Sequence, residues 1–107
     1  MQSSQLTEIA LEQHYLDSII KVASSFLEIE HIYLFGSRSV KTNRKASDID
    51  LALAGKNVTH STVLRLHDVL NQETMIPYQI DVVNYNAIQN RQLKNHIKKH
   101  GLVIYEK

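Results

Sequence analysis

Two stretches decide the fold: HIYLFGS, residues 31–37, and SDIDLALAG, residues 47–55. In the first, β-branched, aromatic and apolar residues run up to Gly36, which is typical of a strand that ends in a tight turn. In the second, a large apolar residue stands at every second position, and the pattern stops at Gly55. This alternation predicts a strand over residues 48–54 with one face in the core. The core face would carry Ile49, Leu51 and Leu53, and the other face Asp48, Asp50 and Ala52.

In the remaining segments the spacing of apolar residues switches between that of a helix and that of a strand. The first half of the chain is predicted to form a helix over residues 6–29, a strand over 31–35, a short helix that begins at Arg38 after a Ser37 cap, and the strand over 48–54. The second half is predicted to form a helix opened by Thr59 or Ser61, a strand over 78–83, a helix over 86–100 ended by Gly101, and a strand over 102–105. We therefore expect an α/β (α+β) fold with a mixed sheet of about four strands and helices mainly on one face. We expect the 107 residues to form one domain, 1–107.

Composition excludes several classes of protein. Hydrophobic residues make up 43% and charged residues 21%, which excludes a disordered chain. The absence of cysteine excludes disulfides, thiolate zinc sites and a cysteine nucleophile. No run reaches the roughly 18 apolar residues of a membrane helix, so we expect no membrane contact. The first residues lack a basic start followed by an apolar core, which predicts no signal peptide and a cytoplasmic protein.

Three carboxylates stand out in otherwise apolar surroundings. Asp48 and Asp50 would project from one face of a strand with Cα atoms about 6.5–7 Å apart, where two unpaired negative charges repel each other. Asp81 lies between Ile80 and Val82 in a later apolar strand. If the two strands are neighbours, the three carboxylates converge, and oxygen ligands without cysteine favour Mg²⁺ or Mn²⁺. Two metals about 3.5–4 Å apart are a common device for phosphoryl or nucleotidyl transfer.

The turn after the first strand is suited to binding phosphate. A strand, Gly36-Ser37 and a helix start bring backbone N–H groups and a hydroxyl close to an anion. Arg38 and Arg44 can add positive charge to the same polyphosphate. Each feature alone is usually an ordinary turn or an exposed pair, but the combination is specific because ten residues separate Ser37 from Asp48 and a lone Asp81 follows.

Together these residues resemble a known family. Gly36-Ser37-Arg38, Arg44, Ser47-Asp48-Ile49-Asp50-Leu51 and the Asp81 of QIDVVNY look like the signature of minimal nucleotidyltransferases of the DNA polymerase β superfamily. The resemblance covers residues 26–105 and implies a nucleotidyltransferase core that binds a nucleoside triphosphate with Mg²⁺. One departure is Ser39-Val40-Lys41, where the family commonly has a small residue, a second arginine and a glycine.

The resemblance also assigns roles. Gly36 and Ser37 would hold the triphosphate, with Arg38, Arg44 and Ser47 as further nucleotide-binding residues. Asp48 and Asp50 would hold the metals, and Asp81 would complete the metal on the nucleophile side and help to deprotonate the acceptor hydroxyl. ATP is the donor that the resemblance favours. Family members are often paired with a small helical HEPN-domain protein, the kind of partner that would offer the acceptor hydroxyl in a toxin–antitoxin pair.

Two function classes remain open at this point. One is an enzyme that moves a nucleoside monophosphate to a hydroxyl; the other is a non-catalytic nucleotide-binding partner or antitoxin that keeps the fold. The three carboxylates favour the enzyme, whereas the altered Ser39-Val40-Lys41 loop favours the partner. In either class we expect a stable homo- or hetero-oligomer burying at least about 1,000 Å².

Three other features are better explained without a ligand. His96 and His100 have a zinc-compatible spacing, but no third ligand is visible. Positive charges on the last helix lack interleaved aromatic platforms, so we expect no nucleic-acid interface there. The tyrosines in or beside strands are expected to be core and sheet residues. The positive charges are those of Arg91, Lys94, Lys98 and Lys99, and the tyrosines are Tyr33, Tyr78, Tyr85 and Tyr105.

Overall fold

The computed structural model describes residues 11–36 and 48–107. In these residues the elements in chain order are α1 Gln13–Ala23, β1 His31–Phe35, β2 Ile49–Ala54, α2 His60–Gln72, β3 Ile80–Asn84, α3 Arg91–His100 and β4 Leu102–Glu106. A short 3-10 helix, Tyr85–Ala87, follows β3 directly. The predicted helix at Arg38, with its Ser37 cap, falls outside the described residues.

The four strands form one mixed sheet in the order β3-β2-β1-β4. Strand β1 runs antiparallel to both β2 and β4, with a register shift between Ile32 and Tyr33 on the β4 side. Strand β2 runs parallel to β3. The long connection that a parallel pair needs is supplied by α2, which lies between these strands in the chain. The predicted four-stranded mixed sheet is confirmed, and β2 lies at its centre.

The main core lies between α1, α2 and one face of the sheet. Alternation in β2 buries Ile49, Leu51 and Leu53 completely on this face, as predicted. Their neighbours in the core include Leu16, Ile19, Ile32, Leu34, Leu66, Leu70 and Ile80. Burying a side chain of this size stabilises the fold by roughly 1.5–3 kcal/mol, so this cluster makes a large contribution to the stability of the fold.

Helix α3 reaches the opposite face of the sheet. The Lys94 Nζ lies 5.2 Å from the centre of the Tyr85 ring, and that ring packs 5.3 Å from the ring of Tyr33. Tyr33 is the β1 partner of Ala52, whose side chain alternates with the core leucines of β2 and is also buried. Two of the three described helices therefore cover one face, as expected, while α3 covers part of the other.

Helix α1 is shorter than the pattern predicts. It ends at Ala23 instead of Ile29, and residues 6–10 of the predicted span lie outside the described residues. The hydroxyls of Ser24 and Ser25 donate to the carbonyls of Lys21 and Val22, and tight turns follow. The apolar pattern of the sequence continues past Ala23 because Phe26 and Ile29 still pack on the core. Leu27, which a helical period would place on the same apolar side, is instead 76% exposed.

Two later elements also begin further along than predicted. Strand β3 starts at Ile80 rather than Tyr78, and α3 starts at Arg91 rather than Asn86. The Asn90 side chain accepts a hydrogen bond from the Leu93 N–H and so caps α3. Gly101 ends α3 as predicted, although its φ of −68° is not left-handed. The reason is space, because a Cβ there would lie 2.5 Å from the Ile97 carbonyl oxygen.

Of the two residues that the sequence left open as the cap of α2, the structure has Thr59 and not Ser61. The Thr59 hydroxyl accepts from the Thr62 N–H at 3.3 Å, and the Thr62 hydroxyl accepts from the Thr59 N–H at 3.1 Å. This reciprocal pair satisfies two donors at the start of the helix. None of the helices in residues 11–36 and 48–107 is long and apolar enough to cross a membrane.

Candidate functional site

Asp50 and Asp81 are register partners on the parallel strands β2 and β3. Partners in a sheet project to the same face, and this is the face opposite Leu51 and the main core. Asp81 is exposed while its neighbour Ile80 is fully buried, which confirms the predicted alternation in β3. The backbone therefore brings these two carboxylates to one place on the sheet.

The half-buried Asp50 is the carboxylate whose pKa this arrangement shifts. Burial raises the pKa of its carboxyl above the ordinary value for aspartate, and the negative charges of Asp81 and Asp48 raise that pKa further. Asp48 is exposed and lies one residue before β2. Two like charges thus act on Asp50 without a compensating cation among the described residues.

Gly36 lies directly after β1, next to the Asp50 carboxylate. Its φ is +78°, a left-handed conformation that residues with a Cβ rarely adopt. A Cβ built on Gly36 would also collide with Oδ2 of Asp50. Phe35, the last residue of β1, is the antiparallel partner of Asp50. Gly36, the residue directly after β1, consequently lies against the Asp50 carboxylate, where a Cβ would be both crowded and strained.

The donor chemistry of this site fits a hard divalent cation. Asp48, Asp50 and Asp81 offer oxygen ligands only, which are the ligands preferred by Mg²⁺ and Mn²⁺. Burial first, and then repulsion by Asp81 and Asp48, raises the pKa of Asp50, and a bound cation would offset this repulsion. Within residues 11–36 and 48–107, however, no three such side chains lie close enough together to hold one metal ion as a group. The described carboxylates share a neighbourhood rather than a closed three-ligand cage.

Only part of the predicted nucleotide site can be placed. Gly36 of that set lies beside Asp50. Ser37, Arg38, Arg44 and Ser47, together with the Ser39-Val40-Lys41 stretch, fall outside the described residues. The two described residues that flank this stretch in the chain are Gly36, which lies beside Asp50, and Asp48, which is itself one of the carboxylates.

The structure also describes the residues that were expected to bind no ligand. The rings of His96 and His100 lie 5.0 Å apart on α3. Tyr33, Tyr85 and Tyr78 pack on other rings, in keeping with sheet and core roles.

One residue near the site was missed by the sequence analysis. The Asn71 side chain, on α2, hydrogen bonds to both the N–H and the carbonyl oxygen of Ile80, each at 2.9 Å. Ile80 immediately precedes Asp81. No sequence signal marks this contact, because an asparagine late in a helix is usually read as a surface or end residue.

Comparison with known proteins adds to this geometry. The sequence model of the family described as Polymerase beta, Nucleotidyltransferase matches residues 17–107. Comparison with curated protein sequences finds no match. Several solved structures share the fold, all at low sequence identity.

One similar structure is a tri-AMPylated HEPN toxin of Shewanella oneidensis in complex with an MNT antitoxin. It has a TM-score of 0.68 and 21% identity, over 91% of this chain and 74% of the other. A second is a toxin–antitoxin structure with AMP-PNP, with a TM-score of 0.68 and 20% identity over 91% of this chain and 75% of the other. A third, a complex of MntA with HepT, has the same TM-score and 20% identity, over 90% and 74%. At these identities the likeness concerns the fold alone.

Proposed function

Because this chain belongs to the polymerase β nucleotidyltransferase family, we propose that it is a Mg²⁺-dependent enzyme that transfers AMP from ATP to a hydroxyl of a partner protein. The observation that carries this proposal is the register pairing of Asp50 with Asp81, on the sheet face that Gly36 adjoins. A nucleotidyltransferase needs carboxylates beside a phosphate-binding turn, and Gly36, the first residue of the turn proposed for that role, lies beside Asp50.

In this proposal the turn after β1 binds the triphosphate. Gly36 lets the backbone approach an anion closely, and Ser37, Arg38, Arg44 and Ser47 are assigned to the nucleotide on sequence grounds. Asp48, Asp50 and Asp81 are the proposed metal ligands. When bound, Mg²⁺ would neutralise charge on the phosphates and on these carboxylates. The close approach of Gly36 to Asp50 explains why the nucleotide and the carboxylates would act as one site.

The proposed reaction is an in-line displacement at the α-phosphorus of ATP. The acceptor oxygen forms a bond to that phosphorus as the bond to the bridging oxygen of pyrophosphate breaks. The acceptor hydroxyl loses its proton, and the products are an AMP ester and pyrophosphate. Asp81, exposed at the edge strand β3, is the carboxylate assigned to the acceptor side, where it would orient the hydroxyl and receive its proton.

The partner is proposed to be a helical HEPN-domain protein. The supporting observation is that a similar fold occurs in a complex with a HEPN toxin that carries three AMP groups. Another similar fold occurs in a toxin–antitoxin structure with AMP-PNP, an analogue of ATP. A tyrosine, serine or threonine of the partner would offer the hydroxyl.

The direct test is the intact mass of the partner after incubation with this chain, Mg²⁺ and each of the four nucleoside triphosphates. We expect one or more AMP additions with ATP. We expect none with Asp81→Asn, which removes one charge without changing the shape of the side chain. The matched control is Asp68→Asn, the same substitution at an exposed carboxylate of α2, which should modify the partner as the wild type does.

An unchanged partner mass with all four nucleotides, in a complex that still forms, would contradict the enzymatic function. The chain would then be a nucleotide-binding or antitoxin subunit without catalysis. Equal loss of activity in Asp68→Asn and Asp81→Asn would also contradict the assignment, because the effect would not depend on the carboxylate pair.

A further inference from the structure

The start of β3 is held from the side that faces away from the sheet. The Ile49 N–H donates to the carbonyl oxygen of Gln79 at 2.9 Å, and Ile49 is the register partner of Ile80. In a parallel ladder the bonds of Ile49 go to the residues on either side of its partner. The N–H and carbonyl of Ile80 therefore point away from β2. Strand β3 is an edge strand, so no further strand pairs with them.

Asn71 takes the place of the missing strand. Its Oδ1 accepts from the Ile80 N–H at 2.9 Å, and its Nδ2 donates to the Ile80 carbonyl oxygen at 2.9 Å. The same Nδ2 donates to the carbonyl oxygen of His67, one turn earlier in α2, also at 2.9 Å. Both N–H bonds of the amide are thus used, which fixes the side chain relative to the helix as well as to the strand.

These bonds lie one residue from Asp81. The β2–β3 ladder sets which residue faces Asp50, but an edge strand with one neighbour can still twist or shift away from its plane. Asn71 restrains Ile80 from the other side, and Ile80 itself is completely buried. The position of the following residue, Asp81, is therefore fixed by α2 as well as by the sheet.

We infer that Asn71 is a positioning residue that holds Asp81 opposite Asp50 for the acceptor side of the reaction. This inference rests on the proposed function for its catalytic part, and on the three hydrogen bonds for its structural part. Asn71 does not touch the substrate in this account. It acts through the backbone of Ile80, as a supporting hydrogen bond acts on a group that must be held in place.

The first arm of the test measures AMP transfer to the partner. Asn71→Ala should lower kcat by about tenfold or more, since a displacement near 1 Å can cost about a hundredfold. The KM for ATP should stay within about twofold, because the turn at Gly36 and Asp50 is untouched. Asn71→Asp keeps the acceptor for the Ile80 N–H and loses the donor, so its kcat should lie between those of wild type and Asn71→Ala.

The control for simple loss of stability is Thr62→Val at the other end of α2. This substitution removes one half of the Thr59–Thr62 capping pair and the hydrogen bond to Glu28, but it leaves Ile80 untouched. Its thermal stability should fall while kcat per folded molecule stays the same. A kcat for Asn71→Ala equal to that of Thr62→Val would overturn the positioning role.

The second arm uses amide hydrogen exchange in the chain without nucleotide. After correction for the global stability of each variant, the Ile80 amide should exchange about tenfold or more faster in Asn71→Ala than in the wild type. With the same correction, its exchange rate in Thr62→Val should equal that of the wild type. Unchanged exchange at Ile80 in Asn71→Ala would overturn the inference whether or not the chain is active. Faster exchange together with a wild type that transfers no AMP would instead contradict the proposed function and leave the structural restraint supported.

Discussion

Asp50 and Asp81 face each other across the parallel β2–β3 ladder, on the side of the sheet opposite the main core. Neither carboxylate makes an ion pair with another described residue. Two adjacent negative charges do not stabilise the fold. Burial, and then the charges of Asp81 and Asp48, raise the pKa of the Asp50 carboxyl. No described contact gives this pair a structural role, and in the proposed function a bound cation and nucleotide would offset the repulsion.

The first prediction concerns the charge on Asp50. Because the pKa of Asp50 is raised in the folded chain, its contribution to stability is present below the ordinary pKa of aspartate and is lost as the pH rises through the folded pKa. Asp50→Asn should therefore be more stable than wild type near neutral pH, and this difference should vanish in acid. Urea unfolding across the range from about pH 3 to about pH 7 measures it.

The control for this prediction is Asp17→Asn, an exposed carboxylate on α1 whose Oδ1 accepts from Gln13. Asparagine keeps that acceptor, so Asp17→Asn should bring no gain in stability near neutral pH. A difference between Asp50→Asn and wild type that stays constant with pH, or that favours the wild type at neutral pH, would show that Asp50 is not under electrostatic strain.

The second prediction concerns the turn after β1. Gly36→Ala forces a Cβ into a left-handed residue, which costs roughly 1–2 kcal/mol, and pushes that Cβ against Asp50. We expect a lower melting temperature and a much smaller rise in melting temperature with Mg²⁺ and ATP. Gly101→Ala is the matched control, since its Cβ collides with the Ile97 carbonyl oxygen instead. It should lose stability but keep the full nucleotide effect; equal loss of that effect in both variants would contradict this account.

The third prediction concerns the cap of α2. Thr59→Ala removes the hydroxyl that accepts from the Thr62 N–H and should cost about 1 kcal/mol. Thermal unfolding should register this as a fall of about 4–8 °C for a domain of this size. Ser61→Ala, two positions further on, should change the melting temperature much less. A larger effect at Ser61 would move the cap to the other residue that the sequence left open.

The strands flanking the site were predictable because glycines and alternation mark them. The bounds of β1 match the prediction, since the apolar run stops at Gly36. Strand β2 differs by one residue, since Asp48 precedes it. The lone carboxylate of β3 was also recognisable, because Asp81 interrupts an apolar strand. These are local patterns, and local patterns are what a single sequence carries.

The remaining differences come from contacts between distant residues. Nothing in the sequence indicates that Asn71 pairs with Ile80. The predicted start of β3 is two residues too early because the strand begins where it pairs with β2, at Ile49 and Ile80. The end of α1 was placed too late because Phe26 and Ile29 keep the apolar period through turns that serine hydroxyls stabilise. The bend of Gly36 against Asp50 likewise depends on how β1 and β2 pair, which periodicity does not specify.

Calorimetric titration of AMP-PNP into the chain, with and without Mg²⁺, tests whether the carboxylates form a metal-dependent nucleotide site. We expect binding to the wild type that requires Mg²⁺, and at least about tenfold weaker binding to Asp50→Asn although that variant is folded. Asp68→Asn should bind as the wild type does. Binding to Asp50→Asn that equals the wild type, or binding to the wild type that is indifferent to Mg²⁺, would contradict the claim that these carboxylates form a metal-dependent nucleotide site.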